Sequence, residues 1–376
     1  MKVQSSKVWW AAALAVASLA CSSSGKPKPF DGGMGGAGGE SPTDAAVDRA
    51  STDGGTAAPT VVATLDGVPA SLATDGTRLY VTVFETSAGH DGKVESVAKT
   101  AADVMPDAGT VTTLASGLLA PRAIAVNATT VFWADTDVAF PALPNVLAVS
   151  AAGGNATEVL SGVYTMTHLA ISGSVLYGIT SDSEIITAFS LSGADAGAGL
   201  TVYPGNPPNA VEGPDSDGTS VFFLTPGTTG QDLYRTTVGG TGLTDLVKNA
   251  SSGSVNFDYI LDDATSVFWS DAGTGSVFSV AKTAAAGATP KVLATINSGS
   301  APVQLALDGD DIYLLWSQQL ARIPKAGGTP VILASVSGAG SDKYLVAPSN
   351  AVALAVDASF VYWLHEGHSQ ILKMAK

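Results

Sequence analysis

The chain has 376 residues, of which 18 are Lys or Arg and 33 are Asp or Glu, so its formal net charge is −15. Nucleic acids and anionic membrane surfaces are bound through cationic residues, and the charge therefore argues against both as partners. The only cysteine, Cys21, excludes an intrachain disulfide and any metal site built from several cysteines.

The first 21 residues have the layout of a secretory signal peptide. Lys2 and Lys7 precede an apolar run over residues 8–20, and small residues lead to Cys21. The apolar run is too short to span a bilayer core of about 30 Å as a helix of the mature protein. Removal of this leader would change the charge to 16 − 33 = −17, because it carries two of the lysines.

The end of this leader resembles the lipobox of bacterial lipoproteins. It reads Ser18-Leu19-Ala20-Cys21, and only Ser18 departs from the usual pattern, which has Leu there. The resemblance implies that Cys21 becomes the lipidated N-terminus and that Ser22, which is not Asp, directs the protein to the outer membrane. The alternative is an ordinary secretory leader with an incidental cysteine. Residues 22–59 are rich in Gly, Ser, Pro and Asp and lack apolar periodicity, so we predict a disordered tether.

From residue 60 onward, one unit recurs seven times. In Asp263–Asp271, which reads DATSVFWSD, an Asp turn precedes a short strand, and Phe268 follows Asp263 by five residues. The corresponding aromatic or aliphatic position recurs at residues 80, 132, 176, 222, 268, 313 and 362, so the steps are 52, 44, 46, 46, 45 and 49. Each unit contains four short runs of β-branched and aromatic residues between turn residues. This pattern predicts an all-β, seven-bladed β-propeller over residues 60–376.

The two ends of the repeat region complement each other. The seventh unit stops at Lys376 after its third strand, and Thr60–Leu65 is an extra strand with the pattern of a fourth strand. We therefore predict that the N-terminal strand completes the last blade, which removes an exposed sheet edge. The alternative is a six-bladed ring with one copy outside it, since the third and fourth units are the most degraded.

Three units resemble the blades of YWTD-type and NHL-type propellers: VFWADTD at 131–137, VFWSDAG at 267–273 and VYWLHEG at 361–367. Members of these families are mainly protein-binding and ligand-binding modules, and YWTD propellers usually have six blades. The resemblance implies a non-enzymatic, monomeric binding module of the cell envelope, without a cofactor, whose partner is a protein, a glycan or a small ligand. A minority of related propellers are enzymes, so a metal-dependent lactonase-like or lyase-like enzyme is an alternative. A structural subunit of an envelope complex is another.

Two repeated residue types have a structural interpretation. Asp and Asn hydrogen-bond their own backbone in turns, which explains an acidic residue in nearly every unit without a catalytic role. Trp133, Trp269 and Trp363 share one register, and we expect them to pack between blades.

The candidate functional residues lie at the end of the second strand of a blade or in the loop that follows it, because loops on a rigid scaffold carry binding residues. Consecutive blades 7, 1 and 2 place imidazole and carboxylate groups there, and blade 5 adds one carboxylate. The candidates are His90, Asp91, Asp135, Asp137, Asp271, His365, Glu366 and His368. Their chemistry also suits a divalent metal ion, which remains an alternative. No catalytic residue is predicted, since no G-x-S-x-G, Walker or HExxH motif occurs.

Overall fold

The computed structural model describes residues 59–84, 91–99, 110–135, 145–160, 166–180, 186–191, 199–203, 212–226, 230–251, 259–271, 273–296, 304–316, 319–335, 354–365 and 369–376. These residues form seven antiparallel sheets of four strands each. The first strand of each sheet contacts the first strand of the next, and these contacts close a circle. The seven-bladed propeller is confirmed, and the third and fourth units each form a complete blade.

Each blade is a meander of four strands. Blade 1 contains β2 (Val68–Thr74), β3 (Arg78–Phe84), β4 (Gly92–Ala98) and β5 (Val111–Leu118). Blade 2 contains β6 (Pro121–Val126), β7 (Thr130–Asp135), β8 (Asn145–Ser150) and β9 (Thr157–Leu160). Blade 3 contains β10 (Met166–Ser172), β11 (Val175–Thr180), β12 (Ile186–Ser190) and β13 (Gly199–Tyr203). Blade 4 contains β14 (Glu212–Ser216), β15 (Ser220–Pro226), β16 (Gln231–Thr237) and β17 (Thr244–Ser251).

The remaining blades follow the same plan. Blade 5 contains β18 (Ile260–Asp262), β19 (Ser266–Asp271), β20 (Ser276–Ala281) and β21 (Lys291–Thr295). Blade 6 contains β22 (Gln304–Asp308), β23 (Asp311–Trp316), β24 (Gln319–Pro324) and β25 (Val331–Ser335). Blade 7 contains β26 (Leu354–Val356), β27 (Phe360–His365), β28 (Gln370–Ala375) and, from the start of the chain, β1 (Thr60–Thr64).

The ring is closed by the N-terminal strand. β1 pairs antiparallel with β28, with Thr60 opposite Lys373 and Thr64 opposite Gln370. Val62 and Ala63 are 1% and 0% exposed and belong to one apolar cluster with residues of blades 1 and 7. The predicted completion of the last blade by the N-terminal strand therefore holds for β1.

The three repeated tryptophans pack between blades, as predicted. Trp133 and Trp269 are fully buried and Trp363 nearly so, and each shares an apolar cluster with the preceding blade. The indole Nε1 of Trp269 also donates a hydrogen bond of 2.8 Å to the carbonyl of Ala250 in blade 4. These contacts make the tryptophans part of the core.

The meander gives the ring two different faces. The turns between first and second strands lie on one face, here called the turn face. The loops between second and third strands, together with the connections between blades, lie on the opposite face, here called the loop face. The first strands line the central channel. Among the described residues, no helix is long and apolar enough to cross a membrane.

Candidate functional site

Asp135 ends the second strand of blade 2 on the loop face. Its Oδ1 accepts a hydrogen bond of 2.9 Å from the amide of Ala120, and its Oδ2 accepts one of 3.3 Å from the amide of Leu119. Both amides belong to the connection between blades 1 and 2. The carboxylate therefore ties the start of the following loop to the incoming chain.

Asp271 has a similar place in blade 5 and is 2% exposed. Its Oδ1 accepts the amide of Gly273 at 2.8 Å, and its Oδ2 accepts the hydroxyl of Thr274 at 2.7 Å. His365 ends the second strand of blade 7 and is 6% exposed. The Asp135 and Asp271 carboxylates thus hold their strand ends in place, and the strand ends at Asp271 and His365 are buried.

Asp91 is exposed and lies directly before β4 on the same face. The other predicted members of the site, His90, Asp137, Glu366 and His368, lie outside the described residues, as does Cys21. Convergence of the eight residues therefore stays a prediction. Within the described ranges, no group of three or more His, Cys, Asp or Glu side chains that could hold a metal ion is present.

The repeated Asp on the turn face closes its own turn. In blade 5, Oδ1 of Asp263 accepts the amides of Thr265 at 2.8 Å and Ser266 at 2.9 Å. The same pair of bonds forms at Asp75, Asn127, Asp217 and Asp357. The structural interpretation is confirmed at these five positions.

The second oxygen of these carboxylates has a role that the sequence analysis missed. In four blades, a lysine directly after the third strand reaches the Asp of the preceding blade. The ion pairs are Lys99 with Asp357 (3.2 Å), Lys282 with Asp217 (2.9 Å), Lys325 with Asp263 (2.9 Å) and Lys376 with Asp308. Each ammonium also lies 5.5 to 5.8 Å from the centroid of the aromatic ring that follows that Asp in sequence.

We call the ion pair and the ring contact together the lysine clasp. The clasp changes the proton affinity of the turn carboxylate. Burial alone would raise the pKa of Asp263, but hydrogen bonds from the Thr265 and Ser266 amides and from Lys325 lower it to about 2. The Lys99 clasp joins the first blade to the last, so it spans the seam where the ring closes. Lys99 also donates a 2.5 Å hydrogen bond to the carbonyl of Asp75 in its own blade.

In the other three blades, the residue at the position of the clasp lysine is apolar. A backbone hydrogen bond that all seven blades share identifies this position. The backbone amides of Ala151, Leu191 and Val238 donate to a carbonyl in the turn between the first and second strands of their own blade. The backbone amides of the clasp lysines donate to the equivalent carbonyl in their blades. Leu191 faces a blade whose turn carries the uncharged Asn127, and Val238 faces a blade whose turn has Gly173 instead of an acid. In these two cases, the blade that lacks the clasp lysine follows a blade whose turn lacks the acidic residue that the lysine would bind. Ala151 follows a blade with Asp75, whose Oδ2 accepts the Tyr80 hydroxyl at 2.6 Å.

A second group of polar side chains lies on the channel wall of blades 3, 4 and 5. We define His168, Asp215 and Tyr259 as the channel cluster. The rings of His168 and Tyr259 are 6.0 Å apart between centroids and tilted by 51°. His168 lies on the first strand of blade 3 and Tyr259 directly before the first strand of blade 5, so the two rings meet across the inner edge of blade 4. All three residues are half-buried.

Burial changes the proton affinity of each member of the channel cluster. It lowers the pKa of His168 to about 4. Burial first, and the neighbouring Asp215 second, raise the pKa of the Tyr259 phenol. Burial and then the Asp262 carboxyl raise the pKa of Asp215 well above its usual range. The sequence analysis noted His168 among the four histidines, but it had no signal that would place it beside a residue two units away.

Asp215 borders a charged seam between blades 4 and 5. Its Oδ2 accepts the amide of Asp262 at 2.7 Å, and the Asp262 carboxylate contacts Lys282, which also holds Asp217. Burial alone would lower the pKa of Lys282, but the carboxylates of Asp262 and Asp217 raise it above its ordinary value. One lysine therefore serves two carboxylates from adjacent blades.

We predict that His168 makes the protein sensitive to acid. Its folded-state pKa lies below the ordinary value of 6.5, so the unfolded chain binds more protons between pH 6.5 and 4. Its contribution to stability is therefore complete above pH 6.5 and is lost as the pH falls towards 4, by about 1–3 kcal/mol. Urea unfolding of the wild type and of His168→Gln at pH 7 and pH 4.5 measures this loss.

The difference between the two proteins isolates the imidazole. The raised pKa of Asp215 acts in the opposite direction, since its protonation on acidification relieves a buried charge, but it is present in both proteins. Tyr259 stays neutral throughout this range. Equal pH slopes for wild type and His168→Gln would contradict the prediction.

The fold has relatives among solved structures. No protein-family model and no curated protein sequence matches the chain. The chain is similar to a catalytically inactive virginiamycin B lyase from Staphylococcus aureus, with 11% identity and a TM-score of 0.53 over 85% of this chain and 98% of that one. It is also similar to the extracellular domain of a one-component system from B. thetaiotaomicron, with 11% identity and a TM-score of 0.55 over 85% of this chain and 40% of that one.

A structure from a study of two prolyl endopeptidases is similar as well, with 15% identity and a TM-score of 0.52 over 84% of this chain and 50% of that one. The chain therefore spans about half or less of the length of two of these three relatives. Identities this low show a common fold and leave activity open. The chain therefore has a β-propeller fold.

Proposed function

We propose that this protein is a lipid-anchored propeller of the bacterial cell envelope that binds a ligand at its loop face without catalysis. The observation that carries the proposal is the fixation of the strand ends on that face. Asp135 and Asp271 use their carboxylates on backbone amides and a hydroxyl next to the loops. Loops that start from rigid points lose less entropy on binding, which favours recognition.

The strand boundaries show which blades have the longest chain segments between their second and third strands. The widest intervals between second and third strands run from Phe84 to Gly92 in blade 1 and from Asp135 to Asn145 in blade 2. A third wide interval, from Ser335 to Leu354, leads into blade 7. These blades are consecutive around the ring, so the binding site is proposed there, with His90, Asp91, Asp137, His365, Glu366 and His368 as its polar residues.

Affinity capture tests the binding part of the proposal. We expect full-length protein in detergent to retain an envelope protein or glycan, and a His90→Ala, Asp91→Ala double variant to lose it. Ala264→Ser, an exposed position on the turn face, is the matched control and should retain the ligand. Equal capture by both variants would contradict a site on the loop face.

The anchor is tested separately. We expect labelled palmitate to enter the wild-type protein and not Cys21→Ser, because acylation needs the thiol, while Ser22→Ala should be labelled normally. The wild type should fractionate with the outer membrane, since two or more acyl chains give stable anchoring. An unlabelled wild-type protein would mean that the leader is an ordinary secretory one.

A further inference from the structure

We propose that Asp75, on the turn face at the seam between blades 1 and 2, is a docking point for a lysine side chain of a partner protein. The site lies opposite the loop-face residues and does not rest on the binding function proposed above. The four lysine clasps of the same molecule carry the inference, because they show how this type of turn holds an ammonium group.

Blade 2 repeats the backbone of a clasp without its lysine. Residues 150–154 read SAAGG, and residues 324–328 in blade 6, which contain the clasp lysine Lys325, read PKAGG. In both turns the amide of the first glycine donates a 2.8 Å hydrogen bond to the carbonyl three residues earlier, and both glycines have a positive φ. Ala151 therefore takes the place of Lys325, next to the apolar cluster that contains Tyr80.

The acidic half of a clasp is complete in blade 1. Oδ1 of Asp75 accepts two amides of its own turn, and its Oδ2 accepts the Tyr80 hydroxyl at 2.6 Å. Asp357 of blade 7 has the same bonds, with the Tyr362 hydroxyl 2.9 Å from its Oδ2, and that oxygen also lies 3.2 Å from the Lys99 ammonium. The bond from the tyrosine is therefore compatible with an ammonium group at the same oxygen.

Among the described residues, the groups that bond the Asp75 carboxylate are all uncharged. They are the amides of Thr77 and Arg78 and the hydroxyls of Thr77 and Tyr80. Lys99 reaches the backbone carbonyl of Asp75, but its carboxylate partner is Asp357. Burial alone would raise the pKa of Asp75, but the hydrogen bonds to its carboxylate lower it, so the group is ionised at neutral pH. The turn therefore presents a carboxylate with which an ammonium group can pair.

The site is open on the turn face. Asp75 is half-buried, Gly76 beside it is exposed, and Ala152 and Gly154 in the facing turn of blade 2 are exposed as well. A Cβ at Gly76 or Gly154 would meet no atom within 4 Å, so the space beside both turns is free for a partner. The Tyr80 ring is fully buried, and the incoming ammonium group therefore contacts the carboxylate rather than the face of the ring.

The clasps also define the ligand. All four use lysine, whose compact ammonium group lies at the end of a flexible four-carbon stem and donates in three directions. A partner's lysine can approach the carboxylate from solvent and reproduce the contacts of 2.9 to 3.2 Å that Lys99, Lys282 and Lys325 make. The net charge of −15 further favours encounter with a basic protein.

Titration of the full-length protein in detergent with Nα-acetyl-lysine methylamide, a soluble mimic of a partner's lysine, tests the site by ligand-observed NMR. We expect saturable binding with a Kd on the order of millimolar, as for a single partly exposed ion pair, and no binding of the Nε-acetylated derivative, which lacks the charge. Asp75→Asn should weaken binding about tenfold. This variant keeps the turn, because Asn127 makes the same two amide bonds in blade 2.

Two further variants separate the site from a general charge effect. Asp310→Asn removes one negative charge from an exposed position on the turn face of blade 6, and it should bind like the wild type. Ala151→Lys supplies a clasp lysine from within the chain, so it should abolish binding and raise the folding equilibrium constant about tenfold in urea unfolding. The same substitution in the Asp75→Asn background should change that constant by less than about twofold.

Equal losses of binding in Asp75→Asn and Asp310→Asn would overturn the site, and so would undiminished binding in either Asp75→Asn or Ala151→Lys. Cadaverine binding that is more than about tenfold tighter than that of the lysine derivative would assign the site to a free diamine and overturn the partner lysine. If Ala151→Lys fails to fold, the comparison of Asp75→Asn with Asp310→Asn still decides, since both substitutions are isosteric.

Discussion

Replacing Lys282 by methionine is expected to lower the free energy of unfolding by about 3 kcal/mol. The ammonium is 2.9 Å from the Asp217 carboxylate and also contacts that of Asp262, and the side chains of Lys282 and Asp262 are 10% and 6% exposed. Methionine keeps most of the apolar stem over the ring of Phe222, so the measured loss reports the charge. The carboxylates of Asp217 and Asp262 would then lie beside Asp215 at the seam between blades 4 and 5 without the Lys282 ammonium to neutralise them.

The loss should depend on pH in a defined direction. Burial alone would raise the pKa of Asp217, but hydrogen bonds from Thr219 and Lys282 hold that pKa below its usual range. Its contribution is therefore present above the ordinary value of 3.8 and is lost as the pH falls. In Lys282→Met the uncompensated carboxylates become easier to protonate. The stability gap between variant and wild type should consequently shrink as the pH falls below 3.8 in guanidinium unfolding curves.

Two other lysines provide controls for this measurement. Lys325→Met removes a clasp to one carboxylate and should cost about 1–2 kcal/mol. The side chain of Lys248 is 70% exposed and lies 3.6 Å from Asp245, so Lys248→Met should change stability by less than about 0.5 kcal/mol. Adding Asp262→Asn to Lys282→Met should restore part of the loss. Equal effects at Lys282 and Lys248 would show that the clasp does not stabilise the ring.

The architecture was predictable because its determinants are local. A turn carboxylate and an aromatic residue five positions later belong to one hairpin, so their spacing survives from unit to unit, as in Asp263 and Phe268. The count of seven blades and the orphan strand β1 follow from that spacing and from where the repeat stops. The third unit lacks the Asp but keeps its strands, because Gly173, at φ +59°, makes the turn without a side chain.

The lysine clasp was harder to predict because its two halves belong to different units. The lysines follow the aromatic position by 99 − 80 = 19, 282 − 268 = 14, 325 − 313 = 12 and 376 − 362 = 14 residues, so variable loops hide the repeat. One cue was present: residues 96–102 and 279–285 both read SVAKTAA, and each contains a clasp lysine. No comparable cue joined His168 to Tyr259, since only the curvature of the ring brings blades 3 and 5 together.

The closing strand gives the second large effect. Val62→Asp is expected to cost at least about 4 kcal/mol, because Val62 is 1% exposed in the cluster shared by blades 1 and 7 and the new carboxylate would have no partner there. Thr64→Asp is the matched control on the same strand, since Thr64 is exposed, and it should cost less than about 1 kcal/mol. Similar effects in the two variants, measured by guanidinium unfolding, would mean that β1 does not close the ring in solution.

The same seam also carries the Lys99 clasp, so the two devices should be coupled. If Val62→Asp already loosens blade 7 from blade 1, then Asp357 and Tyr362 no longer hold a fixed position for Lys99. Lys99→Met should therefore cost less in the Val62→Asp background than in the wild type, where about 2 kcal/mol is expected. Additive losses would instead mean that β1 and the clasp stabilise separate parts of the propeller, and that the ring stays closed when either is removed.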